Sequence, residues 1–131
     1  RMLIQQRQPF KHGFSNLWDV SAGGSAVAGE TSAAAAMREV REEIGVTLDL
    51  NGVRPHYSVT YGEGFDDWYV VKADPDIESL ELQYEEVQAV RWASEEEVLA
   101  MIDSGVFIPY FKGYISTIFN TADQYGSIRG K

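Results

Sequence analysis

Glu39, Glu42 and Glu43 stand at i, i+3 and i+4 of one short stretch. On a helix that spacing brings side chains onto one face, close enough to repel. Each like-charge pair costs an isolated helix about 0.2–0.5 kcal/mol. A helix selected for stability alone would place Lys among them. A divalent cation between them reverses the sign, because Mg²⁺ takes hard oxygen ligands and bridges carboxylates to substrate phosphates. The three glutamates are therefore a candidate metal set for work on phosphate. Taken without their context, they read more simply as a solvated acidic face.

The element that must hold them is a helix over Thr31–Ile44, ended by Gly45 at a C′ position. Ala33, Ala36, Met37, Val40 and Ile44 form an apolar stripe on its wheel, and the glutamates are expected on a second face. Upstream, Met2–Gln6 reads as a strand that begins abruptly, which suggests missing sequence before it. Gln8–Asn16 reads as a loop, Trp18–Ser21 as a short strand, and Gly23 with Gly24 as a break. Downstream, Val46–Val53 reads as a turn into a strand. Tyr57–Tyr61 and Asp67–Ala73 read as a hairpin across Gly62–Phe65. Val87–Trp92 is a further strand. Ser94 with Glu97 forms a capping box before a helix ending near Asp103–Gly105, and Pro109 opens a last amphipathic segment to about Asn120. Thr121–Lys131 is polar and expected to be loose. No repeat, low-complexity segment or linker interrupts the 131 residues, so a single domain over 1–131 is expected.

Spacing changes the weight given to the glutamates. Gly24 is followed by five residues, Glu30, seven residues, and then Arg38-Glu39-Val40-Arg41-Glu42-Glu43-Ile44-Gly45-Val46. At ordinary residue frequencies, seven such fixed identities arise by chance on the order of once per 10⁸ windows. The pattern resembles the complete Nudix box, G-x5-E-x7-R-E-U-x-E-E-x-G-U with U aliphatic, and the flanking order of strands and helices resembles that family too. The resemblance implies an α/β fold, an α/β/α sandwich with a central mixed sheet that carries a catalytic loop–helix–loop. It implies Mg²⁺ or Mn²⁺ as cofactor, held by Glu39, Glu42 and Glu43 with the carbonyl of Gly23. Glu30 and Arg38 would form an ion pair tying loop to helix, with Gly24 and Gly45 as structural support. Arg7, at the end of the strand before the box, matches by position an arginine that reaches a phosphate in relatives.

The implied chemistry is hydrolysis of a diphosphate linkage, in a nucleoside diphosphate joined to another moiety or a similar small substrate. Metal ions neutralise the diphosphate, lower the pKa of bound water and hold it in line with phosphorus. The general base is Glu42 or Glu39 on the helix, with Glu85 or Glu86 in a later loop as alternatives; sequence does not choose among them. Markers of the coenzyme A and NADH-pyrophosphatase branches are missing. The position of a proline typical of ADP-ribose hydrolases holds Gly62, and Tyr61 falls one residue short of the tyrosine of dinucleoside polyphosphate hydrolases. Leu17–Gly24, with Arg7 and Lys11 upstream, resembles isopentenyl-diphosphate isomerase relatives, but that isomerase uses a catalytic Cys and this chain has none. Trp18, Tyr61, Phe65, Trp68 and Tyr69 are either a base-stacking platform or, more simply, strand and core residues.

Composition excludes several classes. Zero Cys removes disulfides, thiolate metal sites and cysteine catalysis, and fits a cytoplasmic protein. A net charge of −9 opposes binding to a nucleic-acid polymer. No apolar stretch approaches the roughly 20 residues of a membrane span, and no signal peptide is visible. His12 and His56 have no metal-site spacing and read as ordinary residues. Two other functions compete with the hydrolase: a non-catalytic nucleotide-binding Nudix module, which has no need of three clustered acids, and the isomerase, disfavoured by the absence of Cys. A homodimer is left open by the resemblance.

Overall fold

The computed structural model describes residues 1–24 and 26–130. Its elements run β1 (Met2–Arg7), β2 (Trp18–Asp19), α1 (Ser32–Ile44), β3 (Tyr57–Tyr61), β4 (Gly64–Trp68), β5 (Val87–Ala93), α2 (Glu95–Asp103) and α3 (Lys112–Thr121), with a single 3₁₀ turn at Ile77–Ser79. β1 lies in the middle of a three-stranded antiparallel sheet in the order β2-β1-β5.

Period two along β1 sends alternate side chains to opposite faces. Ile4 points one way, into a core shared with Ala93, Val98 of α2, Phe107 and Ile115 of α3. Leu3 points the other way, onto Val40 and Ile44 of α1 and Val87 of β5. Helix, sheet and helix pair thus form the expected α/β/α sandwich. Complete burial of a side chain such as Ile4 or Ile44 contributes about 1.5–3 kcal/mol.

The helix boundaries have local causes. Thr31 caps α1, its hydroxyl accepting from Ala34 N, and Gly45 ends it at φ 76°, donating back to Arg41 O. Ser94 and Glu97 form the expected reciprocal capping box of α2. α3 starts at Lys112, later than Pro109, with Phe111 at its cap position.

Three expectations are corrected. Val46–Val53 forms no strand: Asn51–Gly52 makes a turn at φ +75°, closed by Val53 N donating to Leu50 O, and Leu50 anchors the segment in the core. The hairpin β3–β4 turns at residues 62–63, so β4 begins at Gly64 and ends at Trp68 instead of spanning Asp67–Ala73. Beyond Trp68 the next donor, Val70 N, meets the His56 ring at 3.4 Å rather than a backbone carbonyl, and the ladder stops. The central sheet is also less mixed than expected. All named strand pairs are antiparallel, and among the described residues parallel geometry is confined to one bridge, Trp18 to Phe107. Among the described residues no helix is long and apolar enough to cross a membrane.

Candidate functional site

The site forms where α1 crosses the end of β1 and the loop after β2. Glu43 lies about 60° from Val40 around the helix, on the flank of the apolar stripe rather than on a separate face. It is buried, at 4% exposure, where a solvated face had been the simple alternative. Its burial is possible because Gln5, equally buried and on the Leu3 face of β1, donates from Nε2 to Glu43 Oε1 at 2.8 Å. The same nitrogen donates to Ser21 O at 3.1 Å. Burial pushes the Glu43 carboxyl well above its usual range. A hydrogen bond shared with Glu39 and the charges of Glu39 and Glu86 push the same way, and the Gln5 amide pulls back. A carboxyl so placed holds a proton unless a cation takes the proton's place.

Glu39 is half-buried and packs on the box glycine. A Cβ at Gly24 would lie 2.7 Å from Glu39 Oε2 and closer still to the rest of the carboxylate, so no larger residue leaves that carboxylate where it is. Gly23 directly precedes it in the loop. Arg38 spreads over three acids. Nε donates to Glu30 Oε2 at 2.8 Å and Nη2 to Glu30 Oε1 at 3.1 Å, a bidentate pair, while Nη1 reaches Glu39 Oε1 at 2.9 Å and Glu42 Oε2 at 3.3 Å. Glu30 also accepts from Val27 N, and both contacts hold its carboxyl below the usual range. Glu30 and Arg38 thus join the box loop to the helix, a pair that the resemblance implied. Gly45 turns the chain out of α1 so tightly that a Cβ there would meet Glu81 N at 3.0 Å; Gln83 N then donates to Glu43 O at 2.9 Å.

The three glutamates lie within about 100° of helix arc but differ in exposure. Glu42 is exposed, Glu39 half-buried and Glu43 buried. Among the described residues, no three His, Cys, Asp or Glu side chains converge into a ready metal cage. Arg38 pairs with Glu39 and Glu42, Gln5 donates to Glu43, and Glu39 and Glu43 share a hydrogen bond between them. Of the later-loop acids, Glu86 faces Glu43 electrostatically and pairs with Lys11 at 2.6 Å, whereas Glu85 is exposed.

Arg7 ends β1. Its Nη2 donates to Gly13 O at 3.3 Å, and its Nε is buried with no hydrogen-bond partner. Asp19 and Tyr110 lie in its field. Tyr110 donates to Asp19 Oδ1 at 2.6 Å, and burial raises both groups, Tyr110 further through the Asp19 charge. The expected stacking residues scatter. Trp18 packs on the core and Trp68 makes an edge contact with Tyr110. The Tyr69 hydroxyl meets Ser32 Oγ at 2.9 Å, while Tyr61 and Phe65 stand exposed on the hairpin. His56 stacks on Tyr125, and His12 is exposed. Gln5 was missed by sequence reasoning. The available signal was a polar residue two positions from Leu3 on a strand, hence on a core face.

Comparison with known proteins supplies an independent line. The model of the NUDIX domain matches residues 1–111, so α3 lies beyond the matched part. An uncharacterized Nudix hydrolase of Listeria monocytogenes is 48% identical over 92% of this chain and 70% of its own length. One of Listeria innocua is 49% identical over 85% of this chain and 66% of its own length. Among solved structures, a protein from Deinococcus radiodurans is similar at a TM-score of 0.67 and 28% identity, covering 93% of this chain and 74% of that one. A MutT protein from Methanosarcina mazei has a TM-score of 0.63 at 24% identity, covering 93% and 85%, which is a likeness of fold.

Proposed function

Because this chain belongs to the Nudix hydrolase family, we propose that it hydrolyses a diphosphate linkage in a nucleoside diphosphate joined to another moiety, or in a similar small phosphorylated substrate, with Mg²⁺ or Mn²⁺ as cofactor. The observation that carries this reading is the Glu39 carboxylate seated on Gly24 beside the buried Glu43. Carboxylates held that close repel one another and retain a proton, a costly arrangement for a surface with no cation to bind. The donor set is all hard oxygen, which suits Mg²⁺ or Mn²⁺ and not softer ions.

Glu39, Glu42 and Glu43, with the Gly23 carbonyl, would hold the metal. When bound, it would neutralise the diphosphate and lower the pKa of the attacking water. In the reaction a water oxygen forms a new bond to phosphorus and the bridging P–O bond breaks. The water's proton passes to a carboxylate, Glu42 or Glu39, with Glu86 the later-loop alternative because it faces Glu43. Glu42 is the most exposed of the helix acids and the freest to take a proton from solvent-side water. Arg38 and Glu30 hold the box loop against α1. Arg7, whose buried Nε has no hydrogen-bond partner, would meet a phosphate oxygen at the end of the strand before the box.

The test is release of phosphate or nucleotide from a panel of nucleoside triphosphates, nucleotide sugars, dinucleotides and dinucleoside polyphosphates, with Mg²⁺ or Mn²⁺ and with chelator. Metal-dependent turnover of one class is expected. Nucleotide binding without turnover of any class would replace this reading with the regulatory module. Isopentenyl diphosphate is expected to emerge unchanged, since the chain has no Cys.

A further inference from the structure

We infer that Gln5 is a positioning residue for Glu43, fixing the plane of its carboxylate so that a divalent cation meets a preset ligand; this rests on the metal site proposed above. Gln5 and Glu43 are each 4% exposed. Nε2 of Gln5 carries two N–H groups, and both are spent, one on Glu43 Oε1 at 2.8 Å and one on Ser21 O at 3.1 Å. One amide therefore joins three pieces of chain: β1, which carries it; α1, which carries Glu43; and the loop that runs from Ser21 to Gly23 and Gly24. Ser21 is itself anchored, its hydroxyl donating to Leu3 O on β1. Two candidate ligands, the Glu43 carboxylate and the Gly23 carbonyl, are thus indexed to a single side chain on the most central strand.

The residue type matters. Lys or Arg at this position would hold Glu43 more strongly but would set a positive charge beside the cation site and compete with it. An apolar residue would leave a carboxylate oxygen buried with no donor. A neutral amide supplies the hydrogen bond without the charge. Ligating carboxylates are generally held by such outer partners, whose loss weakens metal affinity by about 10–100-fold.

The experiment is a Mn²⁺ titration of the full chain followed by electron paramagnetic resonance, on the unaltered protein, Gln5→Met, Glu43→Gln and the double variant, with circular dichroism to confirm folding. Gln5→Met keeps length and removes the donor. It is expected to weaken Mn²⁺ by about 10–100-fold. The double variant is expected to bind no more weakly than Glu43→Gln alone, because Gln5 acts through Glu43. Additive losses would mean that Gln5 merely supports the fold and would overturn the inference, as would affinity in Gln5→Met within twofold of the parent. Should Gln5→Met fail to fold, Gln5→Asn keeps the amide but falls one methylene short, and the same loss is expected. If the unaltered protein binds no Mn²⁺, the metal site itself is refuted and this inference falls with it. Binding by the parent with an indifferent Gln5 refutes only the role of Gln5.

Discussion

Replacing Gly24 by Ala separates the site from the fold. Gly24 is exposed and lies outside the left-handed region, so Ala meets no backbone strain. A Gly→Ala change at a compatible position stabilises by about 0.4–1 kcal/mol, through the unfolded chain. The new methyl does collide with the Glu39 carboxylate, 2.7 Å from Oε2 and nearer still to Cδ and Oε1. The colliding group is the end of a flexible side chain, so it yields, and the backbone need not move. To regain ordinary contact the carboxylate must retreat by about an ångström, and a reacting group misplaced by that much loses about a hundredfold in rate. The 2.9 Å pair with Arg38 breaks as well, while the bidentate hold of Arg38 on Glu30 survives. Gly24→Ala should therefore keep Tm within about 5 °C of the parent while kcat/KM falls about a hundredfold and Mn²⁺ binding weakens. Calorimetry, turnover and Mn²⁺ titration on one preparation decide the matter. A variant with undiminished turnover, or one whose activity falls only in step with its folded fraction, would refute the placement of Glu39 on Gly24.

The other expectations are shorter. Glu42→Gln should remove most turnover and leave Tm unchanged. The slight gain that helix repulsion alone would suggest is already offset by Arg38 Nη1 at 3.3 Å, and full turnover would sink the metal-site assignment. Gly45→Ala should cost at least about 1–2 kcal/mol, because φ is +76° and the methyl would press on the Glu81 backbone; a urea midpoint equal to the parent's would contradict that geometry. The metal-free protein should lose stability as pH rises from 4.5 toward neutrality. The folded state holds the Glu43 proton to higher pH than the unfolded chain, so its contribution is complete below 4.5 and is lost as pH climbs through the folded value. Saturating Mg²⁺ or the Glu43→Gln change should flatten that slope in denaturant melts, and a slope indifferent to both would argue against a protonated Glu43.

Much of this was legible without coordinates because the relevant signals are local. The caps of α1 and α2, the turn at Gly45 and the Glu30–Arg38 pair depend on residues at most eight apart. The errors arose where a partner from elsewhere decided the outcome. Residues 69–73 have strand composition, but Val70 N meets the His56 ring and the ladder stops at Trp68. Residues 46–53 have strand composition but bury only Leu50 and turn at Gly52. Glu43 has the spacing of a surface acid and is a core residue, because a strand 38 residues away brings it an amide.

The sequence by itself determined the family, since box spacing is a property of the chain alone, and the resemblance to that family implied the sandwich and a candidate cation set. Only the tertiary structure decided the environment of each acid. Glu42 is left in water, Glu39 is pressed on Gly24, and Glu43 is sealed between helix and sheet. The physical reason is that burial and hydrogen bonding set the charge a carboxylate can carry, and both depend on what the fold brings from distant parts of the chain.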